Sequence, residues 1–157
     1  AASERLGVAP ATLLAHAALE TGWGRSSPRA ADGSSSFNFF GIKAGSNWRG
    51  STTDSRTVEF EQGVAQSRVE TFRAYDSPAE GFADYARLLS NSRRYASALG
   101  TGDDAAAFAQ GLQAGGYATD PRYAEKLTAV ATSVQQLLDE RLKGGSELPI
   151  HTTQRRG

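Results

Sequence analysis

One acidic residue lies where a predicted helix ends, and its setting suits acid catalysis. Glu20 belongs to the run HAALETGWG at 16–24. A helix that begins at Pro10 would reach Glu20 in its last turn and stop at Gly22. A helix C-terminus carries partial negative charge, so it raises the pKa of a nearby carboxyl, and partial burial against the Trp23 indole would raise it further. A carboxyl that keeps its proton near neutral pH can act as a general acid, although the same spacing also fits a solvated glutamate beside a glycine cap.

A second carboxyl could come from a predicted strand, where the candidates are Glu59, Glu61 and Glu70. Hydrolysis of a sugar linkage by side chains commonly uses two carboxyls. Strand side chains alternate between faces, so Glu59 and Glu61 share one face and Phe60 occupies the other. We expect Phe60 to pack inward and the two acids to point outward. Glutamates on exposed strands are common, so each of the three also fits an ordinary solvated side chain.

Aromatic side chains form a further signal. Those in or beside predicted loops and turns are Trp23, Phe39, Phe40, Trp48, Tyr75, Tyr117 and Tyr123. Such rings can stack on the apolar faces of sugars, but they also build cores. We expect Phe39, Phe40 and Phe72 in the core. Trp48 lies in the polar turn NWRG at 47–50, which favours a position in a binding groove.

Composition narrows the class of protein. The 157 residues are 39% hydrophobic and 22% charged, which is typical of one globular domain with its own core. Acidic and basic residues number 17 each, so no general attraction to nucleic acid is predicted. No apolar run is long enough for a membrane span, and no signal peptide is visible. There is no cysteine, and His16 and His151 are too few for a usual zinc site, so we expect no metal and no cofactor.

The first half of the chain predicts a helix, a polar loop and a small sheet. The helix begins at Pro10, and one of its faces comprises Leu13, Leu14, Ala17, Ala18 and Thr21. Residues 25–36 are rich in Ser, Gly and Pro and predict a mobile loop. Thr- and Val-rich runs between about 46 and 75, separated by Gln62-Gly63, predict an antiparallel hairpin.

The second half predicts helices with clear start and stop signals. Ser77-Pro78-Ala79-Glu80 is a capping box, followed by a face of Phe82, Tyr85, Ala86 and Leu89. A further helix starts after Asp103-Asp104 and stops at Gly115-Gly116.

A last helix follows Asp120-Pro121 and ends at Gly144-Gly145, with an apolar stripe of Tyr123, Leu127, Val130, Val134 and Leu137. The predicted fold class is therefore α+β, mostly helical with one small sheet inserted between helices. We expect a single domain at 1–143 and a disordered tail at 144–157. Because the chain opens almost directly on a helix, we also expect it to be part of a longer polypeptide.

Several motifs, in this order, resemble the glucosaminidase domain of glycoside hydrolase family 73. They are ALETGWG at 18–24, NFFGIK at 38–43, WRG at 48–50, TVEFEQG at 57–63, FRAYDSPAEGFADYARLL at 72–89 and GYATDPRYAEKL at 116–127. The resemblance covers the chain up to about Leu138 and is strongest to the branch of flagellar rod-associated peptidoglycan hydrolases. One departure is NFFG, where many relatives have an apolar leucine as the second residue.

This resemblance implies a lysozyme-like fold, in which a helical lobe and a small β-lobe flank a groove. It implies cleavage of the β-1,4 bond between N-acetylglucosamine and N-acetylmuramic acid in peptidoglycan, which opens the cell wall for flagellar rod assembly. Glu20 matches the proton donor, Glu59 the β-lobe glutamate and Tyr117 a tyrosine near the acid. The residues implied in substrate binding are Trp23, Asn38, Gly41, Trp48 and Tyr123.

The resemblance also implies the setting in which the protein works. The expected partners are peptidoglycan glycan strands and, through an N-terminal region outside this chain, flagellar rod components. The expected location is the periplasm, and we expect a monomer. Cleavage of the alternate muramidase bond and a non-catalytic peptidoglycan-binding module remain alternatives. An inverting, a retaining and a substrate-assisted mechanism are all open, as is the choice of Glu59 over Glu61 or Glu70.

Overall fold

The computed structural model describes the side chains of residues 1–144 and the backbone of the last helix to Arg156, and it has helices around one two-stranded sheet. In chain order the elements are α1 (Ala2–Leu6), α2 (Pro10–Thr21), β1 (Thr52–Glu61), β2 (Val64–Arg73), α3 (Pro78–Asn91), a 3-10 helix (Arg93–Ala98), α4 (Ala105–Ala114) and α5 (Tyr123–Arg156). This confirms the predicted α+β class and every predicted helix start. The 3-10 helix was not predicted.

Helix α2 carries Glu20 in its last turn and is fixed at both ends as the sequence predicts. Pro10 occupies the first turn, and Gly22 ends the helix with φ 56°, a left-handed conformation that suits glycine. The helix packs against α5, which covers the face of Leu13 and His16. The prediction that Leu14 shares this face is wrong, because Leu14 lies one residue, or about 100°, further round the helix and is 47% exposed.

The hairpin forms as predicted. Strands β1 and β2 pair antiparallel from Thr52 with Arg73 to Glu61 with Val64. The two-residue turn, Gln62-Gly63, has positive φ at both positions (52° and 80°), which matches the twist of a tight hairpin. The segment that follows Gly41 borders β2, because Arg73 N–H donates to the Ile42 carbonyl at 3.0 Å and Ala44 N–H to the Thr71 carbonyl at 2.9 Å. The hairpin is thereby attached to the segment that carries Gly41.

The facing of the hairpin is the reverse of the prediction. Thr53 and its partner Phe72 are buried against the body of the protein, and Glu59 lies on the same face as Thr53 because it is six residues along the strand. The Glu59 side chain is 15% exposed, whereas that of Glu61, at the end of the strand, is 53% exposed. Phe60 is only partly buried. Alternation correctly predicted that Glu59 and Glu61 share a face of the strand. Which of the two faces is buried depends on how the hairpin packs against the body of the protein.

The core lies between the helices and supports the base of the groove. The capping box is confirmed, because the Ser77 side chain accepts from Glu80 N–H at 3.2 Å. From α3, Tyr85 stacks on Phe40 with ring centres 3.5 Å apart and an interplanar angle of 8°. Phe40 and Phe72 are buried, as predicted, and Phe39 packs partly buried against the core.

Helix α5 supplies one wall of that core through the predicted stripe. Tyr123, Leu127 and Val134 are buried and Val130 is partly buried, but Leu137 is 55% exposed, so its predicted burial is wrong. The wall ends near Val134, beyond which no described element covers the helix. Because α5 extends to Arg156, the predicted helix end at Gly144-Gly145 is wrong. The predicted tail at 144–157 lies, apart from Gly144, outside the residues whose side chains are described.

The polar segment at 25–36 contains no helix or strand, but it is tied to the hairpin. Within the segment, Arg29 and Ser35 form an isolated antiparallel β-bridge. The Thr53 hydroxyl of β1 donates to the Arg29 carbonyl and so connects the segment to the hairpin. Over the described part of the chain, no helix is both long and apolar enough to span a membrane.

Candidate active site

A groove of about 660 Å³ runs between the helices and the hairpin. Its lining comes mainly from the end of α2, the segment after Phe40, strand β1, and the connection between α4 and α5 with the start of α5. The segment after α2, strand β2, α3 and the 3-10 helix add further residues. The lining residues that matter most for chemistry are Glu20, Gly41, Lys43, Glu59, Tyr117 and Tyr123. Residues distant in sequence therefore converge on one cavity.

Glu20 is partly buried at the floor of this groove. Its Oε2 accepts a hydrogen bond from the Tyr123 hydroxyl at 3.2 Å. Burial raises the pKa of Glu20 to about 7, the Tyr123 hydrogen bond lowers it, and the negative charge on Glu59 raises it. The carboxyl can therefore carry a proton at neutral pH, as the sequence predicted.

The cause of this burial differs from the one proposed from the sequence. Trp23 has a left-handed backbone (φ 59°), is 51% exposed and is not among the residues that line the groove. The neighbours that the structure places against the Glu20 carboxyl are Gly41 and the Tyr123 hydroxyl instead. Trp23 remains a candidate for contact with a ligand beyond the groove itself.

Glu59 has the opposite electrostatic setting. Its Oε1 pairs with the Lys43 ammonium, and its Oε2 accepts from the Thr119 hydroxyl at 2.9 Å. Burial opposes ionisation, but the hydrogen bonds from Lys43 and Thr119, together with the charges of Lys43 and Arg68, outweigh it and hold the pKa of Glu59 below its ordinary value. Glu59 is therefore a carboxylate at neutral pH.

Of the three candidate strand acids, only Glu59 is among the groove-lining residues of the described chain. Glu61 pairs with Arg68 on the hairpin, and Glu70 lies 4.0 Å from Lys43 without lining the cavity. Glu20 thus has an environment that favours the proton, whereas Glu59 has an environment that favours the charge. That division is the requirement for paired general acid and general base catalysis.

Tyr117 connects the wall of the groove to its floor. Its hydroxyl donates to the Phe40 carbonyl at 2.6 Å, and its ring lies nearly parallel to that of Tyr123, with centres 6.2 Å apart. Because its proton is used at Phe40, only the oxygen of this hydroxyl is free to accept a further bond. The structure thus brings Tyr117 to the groove beside the acid.

Gly41 and Asn38 have different parts in the same loop. Gly41 has φ +64° and lines the groove next to Glu20. Asn38 is buried below it, where Nδ2 donates to the carbonyls of Ile42 (2.9 Å) and Arg73 (2.8 Å), and Oδ1 accepts from Ile42 N–H at 3.0 Å. The side-chain amide of Asn38 is thus occupied by backbone groups, and it holds the loop rather than facing the groove.

Trp48 is also placed outside the groove lining. Its Nε1 donates to the Ser51 carbonyl at 2.9 Å, its ring meets the edge of Tyr75 at 5.8 Å, and the Arg73 guanidinium lies 4.6 Å from the ring centre. These contacts fix the indole to the base of the hairpin. Trp48 was expected in the binding groove because it lies in a polar turn, but the structure does not place it among the groove-lining residues.

Three residues that contribute to the site were not singled out from the sequence: Lys43, Thr119 and His16. Lys43 and Thr119 hold Glu59, and nothing in their local sequence indicates that contact. His16 is fully buried between the hydroxyls of Tyr85 and Tyr123. A usable signal did exist for His16, because it precedes Glu20 by four residues and so shares its helix face.

Comparison with known proteins identifies the family. Residues 1–136 match the model of the glucosaminidase family, described as mannosyl-glycoprotein endo-beta-N-acetylglucosaminidase. The chain belongs to the glucosaminidase family. Among the curated relatives of the chain, the peptidoglycan hydrolase FlgJ of Pseudomonas aeruginosa is 46% identical over 134 residues, which cover 85% of this chain and 34% of that protein. The chain therefore spans about a third of the length of that relative.

Solved structures agree with this assignment. A mutant peptidoglycan hydrolase from Sphingomonas sp. A1 matches this chain with a TM-score of 0.84 and 53% identity, over 88% of this chain and 90% of that one. The glycoside hydrolase domain of Salmonella typhimurium FlgJ matches with a TM-score of 0.75 and 37% identity, over 96% and 89% of the two chains. The predicted family and its lysozyme-like fold are confirmed.

Proposed function

We propose that this glucosaminidase domain hydrolyses peptidoglycan at the β-1,4 bond between N-acetylglucosamine and N-acetylmuramic acid. The observation that carries the proposal is the pairing, along one groove, of Glu20, whose pKa is raised to about 7, with an ionised Glu59. Family membership supports the glycosidase chemistry. The relatives named peptidoglycan hydrolase support the polymer as substrate. For the whole protein we further propose a flagellar role, a periplasmic location and contact with rod components, which rest on the sequence resemblance alone.

In the proposed reaction, Glu20 donates its proton to the glycosidic oxygen as the bond to the sugar breaks. The sugar develops oxocarbenium character, and a water molecule attacks its anomeric carbon. Glu59 accepts a proton from that water, while Lys43 and Thr119 keep Glu59 ionised and oriented. A nucleophilic role for the substrate's 2-acetamido group would leave Glu59 with an accessory role, and the anomeric configuration of the first product distinguishes the routes.

Glu20→Gln tests the proposal directly. The amide is nearly isosteric but has no acidic proton, so we expect turnover of purified peptidoglycan to fall by about 1,000-fold or more while the fold is retained. Release of soluble fragments measures turnover, and circular dichroism measures folding. Glu61→Gln is the matched control, since Glu61 is exposed on the same strand as Glu59. Wild-type turnover by a folded Glu20→Gln variant would refute the proposal.

Mass spectrometry of the fragments identifies the bond that is cut. After borohydride reduction, the proposed activity leaves reduced N-acetylglucosamine at the new ends. Reduced N-acetylmuramic acid would show muramidase specificity instead. Binding to peptidoglycan without any new reducing ends would show a non-catalytic module.

A further inference from the structure

A buried histidine lies directly behind the groove and has no part in the reaction described above. His16 Nδ1 lies 2.8 Å from the Tyr85 hydroxyl, and its Nε2 lies 2.7 Å from the Tyr123 hydroxyl. The Tyr123 hydroxyl in turn lies 3.2 Å from Glu20 Oε2. A continuous chain of hydrogen bonds therefore runs from Tyr85 through His16 and Tyr123 to Glu20.

The imidazole in this chain is neutral. The His16 ring is enclosed by aromatic rings, with the centre of Tyr117 at 4.6 Å, Phe40 at 5.4 Å and Phe108 at 5.9 Å. Burial lowers the pKa of His16 to about 3. A neutral imidazole has one N–H donor and one acceptor nitrogen, so only two arrangements of protons are possible.

Counting donors distinguishes the two arrangements. With the proton on Nε2, His16 donates to Tyr123, Tyr85 donates to Nδ1, and the Tyr123 proton is left for Glu20, so each of the three protons has an acceptor. With the proton on Nδ1, Tyr123 must donate to Nε2, and the Tyr85 proton has no acceptor among the contacts of residues 1–144. A buried donor without an acceptor costs about 1–3 kcal/mol, which favours the first arrangement.

We propose that His16 is a positioning residue for Glu20: in the Nε2–H tautomer it directs the Tyr123 hydroxyl proton to the Glu20 carboxylate. This rests on the proposed role of Glu20 as the acid. As Glu20 releases its proton to the glycosidic oxygen, negative charge develops on the carboxylate, and the Tyr123 O–H stabilises it. His16 and Tyr123 keep their own protons throughout. Donation from His16 to the Tyr123 oxygen polarises the phenol and strengthens that bond.

The groups that could compete for control of Glu20 are few and can be named. Those facing Glu20 or His16 are Tyr85 from α3, Tyr117, Tyr123 from α5 and Glu59 from β1. The other charged residues that line the groove are Lys43, Arg56, Arg73, Arg94, Asp120 and Lys126. At neutral pH the tyrosines keep their protons and Glu59 keeps its charge, so none of these groups changes its protonation state. His16 therefore acts on Glu20 through the hydrogen bond of the Tyr123 hydroxyl.

The tautomer can be read in the wild-type protein without any substitution. A long-range ¹H–¹⁵N correlation spectrum distinguishes Nε2–H from Nδ1–H imidazole. We expect His16 to give the Nε2–H pattern, unchanged between pH 5 and pH 8. An Nδ1–H pattern, or a charged ring at pH 6, would overturn the proposal even if every variant failed to fold.

Kinetics test the coupling to Glu20. For His16→Leu we expect kcat to fall by about tenfold, the rate equivalent of one hydrogen bond, with little change in KM. The basic limb of the kcat–pH profile should move to higher pH, because a weaker bond to the carboxylate raises the pKa of Glu20. His16→Gln should restore most of kcat and the wild-type limb, because its side-chain amide also has a donor and an acceptor.

Two controls separate positioning from general packing. Phe108→Leu removes part of the ring contact with His16 but no hydrogen bond, so it should lower thermal stability without moving the basic limb. In a Tyr123→Phe background, His16→Leu should cause no further loss of kcat, because the connecting hydroxyl is already gone. A wild-type limb in folded His16→Leu, or full additivity with Tyr123→Phe, would overturn the positioning role. Wild-type activity in Glu20→Gln would instead overturn the proposed function.

Discussion

A Cβ atom built on Gly41 would lie 2.8 Å from Oε1 of Glu20. Because real Cβ atoms essentially never come so close to another heavy atom, the backbone at residue 41 limits where the carboxyl can lie. The same residue has φ +64°, a conformation that side chains disfavour. The acid is therefore enclosed by backbone on one side and by the Tyr123 hydroxyl on another.

Gly41→Ala should displace the Glu20 carboxyl and strain the loop. We expect a large fall in kcat and a modest decrease in the melting temperature. Gly45→Ala is a matched control, since Gly45 lines the same groove, has no positive φ and has no atom within 4 Å of a built Cβ. Similar kinetics for the two variants would show that the close approach to Glu20 has no catalytic consequence.

The pH dependence of kcat should be bell-shaped. Glu20 must be protonated and its pKa is about 7, so activity should fall as the pH rises through about 7. Glu59 must be ionised and its pKa is held below its ordinary value, so the acid limb should lie below pH 4.5. Initial rates on soluble peptidoglycan fragments between pH 3 and pH 9 check both limbs. A profile that stays flat through pH 8 would contradict the role of Glu20.

Glu20→Gln should stabilise the fold at alkaline pH. The folded state raises the pKa of Glu20 from 4.5 to about 7, so the wild type binds more protons folded than unfolded between these values and loses stability as the pH rises. The accumulated cost is about 3 kcal/mol above pH 7 and is absent below pH 4.5. Chemical denaturation at pH 4 and pH 8 measures the difference. Equal stability of the variant and the wild type at pH 8 would show that burial of Glu20 has no such cost.

Glu59→Gln should reduce kcat less than Glu20→Gln does, by about 10- to 100-fold. The amide keeps the shape of the side chain but cannot accept a proton from water. Glu70→Gln is the control, because Glu70 also lies near Lys43 on the hairpin but outside the groove lining. If the kinetics of Glu59→Gln equal those of the wild type, Glu59 has no place in the mechanism.

Tyr117→Phe should test how firmly the two walls of the groove must be joined. It removes the hydrogen bond to the Phe40 carbonyl and leaves that carbonyl partly buried without its donor, at a cost of about 1–3 kcal/mol. We expect a lower melting temperature and a moderate fall in kcat with the pH limbs unchanged. A shift of the basic limb would instead place the Tyr117 hydroxyl in direct control of Glu20.

The elements with local signals could be predicted from the sequence. Pro10 and Gly22 bracket α2, Ser77 and Glu80 cap α3, and Gln62-Gly63 turns the hairpin, because each depends on residues only a few positions apart. The raised pKa of Glu20 was also predicted, although its source was not. The Glu20 carboxyl lies against Gly41 and the Tyr123 hydroxyl, whose approach depends on packing between distant segments.

What could not be predicted depends on which neighbour covers a given face. Periodicity placed Leu14 and Leu137 on apolar faces, but α5 covers only part of α2, and nothing in the described chain covers α5 at Leu137. Alternation on β1 could not say which face meets the body. The sequence could not predict the two tyrosine partners of His16, since they lie 69 and 107 residues away along the chain.

The connection between α4 and α5 touches both lobes within three residues. Tyr117 bonds to the Phe40 carbonyl on the helical side, while the Thr119 hydroxyl donates to Glu59 and accepts from Phe60 N–H on the hairpin. A chimera that exchanges only the hairpin for that of a relative would therefore break the hydrogen bonds between the hairpin and Thr119, which lies about sixty residues downstream. Recombination of these lobes should succeed only when the two segments are transplanted together.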